Sequence, residues 1–120
     1  MDIIYEDNHL LIVNKAPGEI VQGDKTGDEP LVESLKRLIK ERDAKPGNVF
    51  LGVVHRLDRP VGGLVVFAKT SKALSRMNEM FRKGEVHKTY WALTRKAPQP
   101  QHGELHHWIT TVEKTNKSTA

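Results

Sequence analysis

The first third of the chain carries two kinds of hydrophobic pattern. Apolar runs within residues 3–7 and 10–13 flank a polar turn at residues 7–9, which predicts a β-hairpin. Farther along, apolar residues recur at helical spacing: Leu31, Leu35, Leu38 and Ile39. They predict an amphipathic helix over residues 29–42, with Asp28 as its N-cap.

The remainder of the chain continues the mixture of strand and helix patterns. Residues 53–69 form an apolar strand, a tight polar turn and a second apolar strand. A helix follows, with Ser71 as its N-cap and Gly84 as its stop signal. Residues 87–94 and 105–112 are each predicted to form a strand. This order predicts an α+β fold, a mixed and mainly antiparallel sheet with flanking helices.

Composition narrows the possible classes of protein. The 120 residues suffice for one hydrophobic core, and 38% hydrophobic with 28% charged residues is typical of a globular domain. No apolar run is long enough to predict a membrane span, and the acidic N-terminus does not resemble a signal peptide. The absence of cysteine excludes disulfides and cysteine nucleophiles, and we expect a cytoplasmic protein.

The charge of the chain is compatible with nucleic acid binding but does not require it. The formal net charge is +4, and many domains that bind no nucleic acid carry as much. Four basic residues lie on the polar face of the first helix: Lys36, Arg37, Lys40 and Arg42. A solvated helix surface is the interpretation that we favour for them over an RNA contact.

One acidic residue stands in the polar turn between the two central apolar runs. Asp58 follows Arg56 by two residues and directly precedes Arg59, and a neighbouring guanidinium favours an ionised carboxylate. Such a carboxylate suits a nucleophile or a general base. The pair Gly62-Gly63 lets the backbone approach a ligand closely. The alternative is that Asp58 merely pairs with an arginine, and the pattern alone favours neither.

Other side chains offer weaker hypotheses. Arg56 can contact a phosphate or stack on a base, and Lys88 offers a cation to a phosphate or a carboxylate. Tyr90 can stack on a base, although a place in the core is the commoner role of a tyrosine on a strand. A metal site would need histidines: His55, His102, His106 and His107. Their spacing disfavours it, since adjacent residues on a strand point to opposite sides, and we expect no metal.

The central segment also resembles a known family. The run His55-Arg56-Leu57-Asp58, with Gly63-Leu64 and an apolar stretch ending in Ala68-Lys69, resembles the central motif of the RluA-type pseudouridine synthases. Further stretches resemble that family in the same order: residues 4–15 with Pro17-Gly18, residues 86–92, and residues 103–118. The resemblance therefore covers nearly the whole chain.

The resemblance implies a function and a set of site residues. Asp58 would be the catalytic aspartate that attacks a uridine of ribosomal or transfer RNA, Arg56 would fill the space of the flipped base, and Tyr90 would pack on the uracil. The remaining residues implied at the RNA-binding site are His55, Leu57, Arg59 and Lys88. No cofactor would be required. The alternative is a non-catalytic RNA-binding relative on the same scaffold, against which the intact Asp58 argues.

Two departures from the family pattern qualify this expectation. Val61-Gly62 replaces a polar pair that is usual in the turn, so a hydroxyl contact there is missing. The family's later segment, whose basic side chain pairs with the aspartate, has no counterpart in these residues. We therefore expect residues 1–120 to be the N-terminal portion of a catalytic domain, a truncated form without a preceding S4-like domain.

Overall fold

The computed structural model describes residues 1–112 and 117–119, and the chain divides into two units, Met1–His87 and Lys88–Ala120. The first unit holds four strands and two helices, in chain order β1 (Ile3–Glu6), β2 (Leu10–Lys15), α1 (Leu31–Arg42), β3 (Gly52–Val53), β4 (Gly63–Ala68) and α2 (Ser71–Arg82). The strands form one antiparallel sheet in the order β1-β2-β4-β3. The predicted α+β class, with an antiparallel sheet and flanking helices, is confirmed.

The core of the first unit lies on one face of this sheet. Leu11 and Val13 of β2 lie opposite Phe67 and Val65 of β4, and all four side chains are buried. Helix α1 contributes its apolar stripe to the same cluster: Leu31, Val32, Leu35 and Ile39. Alternation along β2 therefore places its odd-numbered residues in the interior, and the last of them is Lys15.

The predicted hairpin and its turn are confirmed. The carboxylate of Asp7 accepts hydrogen bonds from the backbone N–H groups of His9 and Leu10, each at 2.7 Å. These bonds close the turn between β1 and β2, which is the role that an aspartate commonly has in such turns.

The predicted N-cap of α1 is wrong. Asp28 lies before the first helical residue, Leu31, and makes no cap; Pro30 holds the cap position without a side-chain bond. The N–H groups of Leu31 and Val32 instead donate to the carbonyls of Ile20 and Val21, at 2.7 and 3.2 Å. The exposed donors of the first turn are thus satisfied by backbone from the preceding loop, which makes a capping side chain unnecessary.

Helix α2 begins one residue away from its predicted cap. Thr70 has an extended backbone and its hydroxyl accepts from the N–H of Ala73 at 3.0 Å, so Thr70 is the N-cap and Ser71 is already helical. At the other end, Gly84 adopts a φ of +70° just beyond the helix, in agreement with the predicted stop signal.

The second unit differs most from the sequence-based prediction. Residues 87–94 form no strand, and of the predicted strand 105–112 only β5 (Thr110–Val112) is present, paired with β6 (Lys117–Thr119). An alternating pattern of side chains produces a strand only where a neighbouring strand supplies backbone hydrogen bonds. In the part of the chain that the structure describes, residues 87–94 pair with no strand. Within that same part, no helix has both the length and the apolar character needed to cross a membrane.

Candidate active site

Asp58 lies on the connection between β3 and β4, as the sequence predicted. Its backbone carbonyl accepts a hydrogen bond from the N–H of Val61 at 2.9 Å, which closes a tight turn. The residue is exposed, and among residues 1–110, whose side chains the structure describes, its carboxylate has no hydrogen-bond or ion-pair partner. The turn therefore presents an uncommitted carboxylate to solvent.

Among the described residues this carboxylate pairs with neither neighbouring arginine, and that pairing was the alternative to a catalytic role that the sequence left open. The guanidinium of Arg56 donates to the side-chain oxygen of Gln22 at 3.3 Å. Arg59 forms ion pairs with Asp24 and Asp28, at 3.2 and 3.1 Å. Because these carboxylates and the amide lie in the loop before α1, they take up the arginines that the sequence placed beside Asp58.

A buried lysine forms a hydrogen bond to the backbone of the turn. Lys15 is 1% exposed, and its ammonium donates to the backbone carbonyls of Ala16 and Arg59, both at 3.1 Å. Burial lowers the pKa of Lys15, while the negative charges of Glu19 and Asp58 act in the opposite direction. The sequence interpretation did not single out this residue, although its place in the alternation of β2 marks it as inward-facing.

Gly62, in the turn, lies close to the segment that follows β2. A side chain at Gly62 would place its Cβ 3.0 Å from Cδ of Pro17 and 3.3 Å from the carbonyl oxygen of Lys15. Gly63 adopts a φ of +143°, which side-chain-bearing residues rarely do. The close approach that the sequence interpretation assigned to a ligand is therefore, for Gly62, a contact with the segment that follows β2.

His55 and Leu57 point into the first unit. Nε2 of His55 accepts the N–H of Val66 at 3.0 Å, and its ring stacks on Phe81 with centroids 5.0 Å apart. Leu57 is partly buried and packs against the core cluster. These contacts fix both ends of the segment that carries Arg56, and an RNA contact by either residue stays a prediction.

A cleft of about 620 Å³ adjoins the turn. Its walls include the segment Lys15 to Pro17 on one side and Gly62 and Gly63 on the other. Asp58 and Gly18 do not line it, but Gly18, which directly follows Pro17 of the cleft wall, donates to the Arg59 carbonyl at 2.7 Å. The carboxylate therefore stands beside this cleft and outside it.

The other predicted site residues belong to the second unit. Tyr90 is 62% exposed, so the place in the core that the sequence favoured is wrong, and Lys88 is exposed too. The stacking and phosphate roles predicted for them stay predictions. No group of three or more histidine, aspartate or glutamate side chains within the described ranges is arranged to hold a metal ion.

Comparison with known proteins gives a consistent family. Residues 9–120 match the profile described as RNA pseudouridylate synthase. The chain is 36% identical over 106 residues to pseudouridylate synthase RPUSD4, mitochondrial, of Xenopus tropicalis, covering 86% of this chain and 32% of that protein. It is 40% identical over 91 residues to ribosomal large subunit pseudouridine synthase C of Vibrio cholerae, covering 76% and 27%.

A solved structure agrees. Human RNA pseudouridylate synthase domain containing 4 superposes with a TM-score of 0.60 at 26% identity, covering 70% of this chain and 30% of that one. The chain thus spans about a third or less of the length of the relatives it matches. The RluA-type resemblance that the central motif indicated is confirmed, and the chain belongs to the RNA pseudouridylate synthase family.

Proposed function

We propose that this chain supplies the nucleophile-bearing part of an enzyme that isomerises uridine in RNA to pseudouridine, with Asp58 as the nucleophile. The observation that carries the proposal is the exposed carboxylate of Asp58, which has no partner among the described residues and lies on a turn with a fixed backbone. A carboxylate that is not occupied by an ion pair keeps its lone pairs available for attack.

The reaction conserves all atoms of the nucleotide. The bond between N1 of uracil and C1′ of the ribose breaks, a bond between C5 and C1′ forms, and the proton on C5 moves to solvent while N1 gains one. The carboxylate of Asp58 forms a transient bond to the substrate and is released unchanged. The isomerisation has no net oxidation or reduction, so the mechanism that we propose includes no metal or organic cofactor.

The side chain of Arg56 is weakly held and can move from Gln22 to the RNA. Its guanidinium is exposed and, among the residues that the structure describes, makes one long hydrogen bond, to Gln22. Exposed contacts of this kind contribute little free energy, so the side chain can leave Gln22 at small cost. We assign Arg56 to the space of the flipped base, because a stacked uridine cannot present its glycosidic bond to a carboxylate.

Ribosomal RNA is the substrate class that the comparisons favour. Several relatives are named ribosomal large subunit pseudouridine synthase C, among them that of Escherichia coli K12 at 38% identity over 93 residues. Transfer RNA is the second candidate, since the catalytic motif is the same for both. The cytoplasmic location stays a prediction, and one relative is named as mitochondrial.

Replacement of the nucleophile tests the proposal. In the protein as its gene encodes it, Asp58→Asn should abolish pseudouridine formation in total RNA while RNA affinity is largely retained. Asp43→Asn is the matched control, because Asp43 is an exposed aspartate whose carboxylate pairs with Arg42 at the end of α1. Persistent turnover by Asp58→Asn would contradict the proposal. RNA binding without turnover in the unaltered protein would favour the non-catalytic relative.

A further inference from the structure

We propose that Arg59 is a positioning residue for Asp58. Arg59 ties the turn that bears Asp58 to the loop of residues 18–28, and it does not contact an RNA phosphate. The inference rests on the proposed function, because it concerns the placement of the proposed nucleophile. It replaces the RNA contact that the resemblance implies for Arg59 with a role inside the protein.

One loop supplies hydrogen-bond partners to both terminal nitrogens of the Arg59 guanidinium. Nη1 donates to the carbonyl of Gly18 at 3.0 Å. Nη2 lies within hydrogen-bond distance of Asp24, Thr26 and Asp28, at 3.2, 3.1 and 3.1 Å. The planar fork of an arginine holds several acceptors in a fixed geometry, whereas the three donors of a lysine rotate on a flexible stem.

The backbone of Arg59 is held from the same side. Its carbonyl accepts from the N–H of Gly18 at 2.7 Å and from the ammonium of Lys15 at 3.1 Å. Side chain and main chain of Arg59 are therefore both anchored, while the carboxylate of the preceding residue, Asp58, has no anchor of its own among the described residues. The position of Asp58 is thus set by the bond from Val61 to its own carbonyl and by the anchors of Arg59.

The local charge argues against a phosphate at Arg59. Two carboxylates, Asp24 and Asp28, pair with the single guanidinium, so the side chains of this ion-pair cluster carry more negative than positive charge. A phosphate would have to displace both carboxylates and would then be repelled by them. The side chain of Arg59 is also only 36% exposed, because the loop covers much of it.

Kinetic and binding measurements separate the two roles. In the protein as its gene encodes it, Arg59→Gln should lower turnover at saturating RNA by at least about tenfold, since small misplacements of a reacting group are costly. The dependence of the Kd for RNA on salt should not change, and the Kd itself should rise no more than the loss of one positive charge without a phosphate contact predicts. Arg59→Lys keeps the charge and loses the fork, so it should not restore turnover. A raised Kd with a flatter salt dependence, or rescue by Arg59→Lys, would overturn the inference.

Replacing the carboxylates that pair with Arg59 gives a second test, in which negative charge is removed and the RNA affinity should not fall. The double variant Asp24→Asn/Asp28→Asn should lower turnover as Arg59→Gln does, while RNA affinity stays equal or rises because two negative charges are removed. Asp43→Asn is the matched control, as Asp43 pairs with Arg42 at the end of α1. Unchanged turnover in the double variant would contradict the inference, even if Arg59→Gln failed to fold.

The two proposals fail in distinguishable ways. Turnover is expressed per folded molecule, with the folded fraction taken from thermal unfolding of each variant. If activity survives Asp58→Asn, the assignment of Asp58 as the nucleophile is wrong. If activity is lost with Asp58→Asn but unaffected by Arg59→Gln, only the positioning role of Arg59 is contradicted.

Discussion

The buried ammonium of Lys15 donates a hydrogen bond to the backbone carbonyl of Arg59, 3.1 Å away, so the last residue of β2 supports the turn that bears Asp58. A lysine loses hydration when it is buried, and here two carbonyls replace part of that hydration. An interior position at the end of a strand thus links the core of the first unit to the proposed nucleophile.

Replacement of Lys15 by a residue of similar length should affect the turn more than the core. Lys15→Met keeps most of the buried volume but removes the donor, so we expect a loss of about 1 kcal/mol in the free energy of unfolding. Turnover should fall as well, because the Arg59 carbonyl keeps only the bond from Gly18. Urea unfolding and single-turnover kinetics measure the two effects. Lys40→Met, at an exposed lysine of α1, is the control and should leave stability unchanged.

The ring of His55 should matter for stability in its own right. His55→Leu retains apolar bulk but leaves the N–H of Val66 without its acceptor, and the stack on Phe81 is lost. We expect a decrease of about 2 kcal/mol in the free energy of unfolding. His9→Leu, at an exposed histidine in the hairpin turn, is the control. Equal stability of the two variants would show that the Val66 bond contributes nothing.

The sequence predicted those features that depend on neighbours along the chain. The hairpin and both helices follow from local periodicity, and the motif located Asp58 on its turn. The features it missed depend on distant residues: the acceptors of Arg59 lie 31 to 41 residues before it. In the same way, the carbonyls of Ile20 and Val21 replaced the cap predicted at Asp28. No local pattern records such contacts.

A second ion-pair network predicts an acid-sensitive contribution to stability. Glu6 accepts from Arg42 at 2.7 Å and from Lys69 at 2.6 Å, and its side chain is 18% exposed. The hydrogen bonds from Arg42 and Lys69 lower the pKa of Glu6 from 4.5 to about 2. A carboxylate with a lowered pKa stabilises the folded state above its unfolded pKa, and this stability is lost as the pH falls through the folded value.

Glu6→Gln should therefore be destabilising only where Glu6 is ionised. At pH 7 we expect a loss of about 2 kcal/mol in the free energy of unfolding. The difference from the unaltered protein should shrink as the pH falls from 4.5 to about 2, the ordinary and folded pKa of Glu6. Urea unfolding at several pH values measures it. Glu33→Gln breaks a looser, more exposed pair with Lys36, at 3.4 Å, and should cost less than about 0.5 kcal/mol.

The contact between Gly62 and Pro17 predicts a steric test of the turn. In Gly62→Ala the new Cβ would meet Pro17 Cδ at 3.0 Å, so the turn or the Lys15 to Pro17 segment must shift. We expect a loss of about 1–3 kcal/mol in the free energy of unfolding. Gly23→Ala is the matched control, because its Cβ would meet no atom within 4 Å. A Gly62→Ala protein with the stability and turnover of Gly23→Ala would mean that the turn does not depend on this contact, and that the placement of Asp58 tolerates its loss.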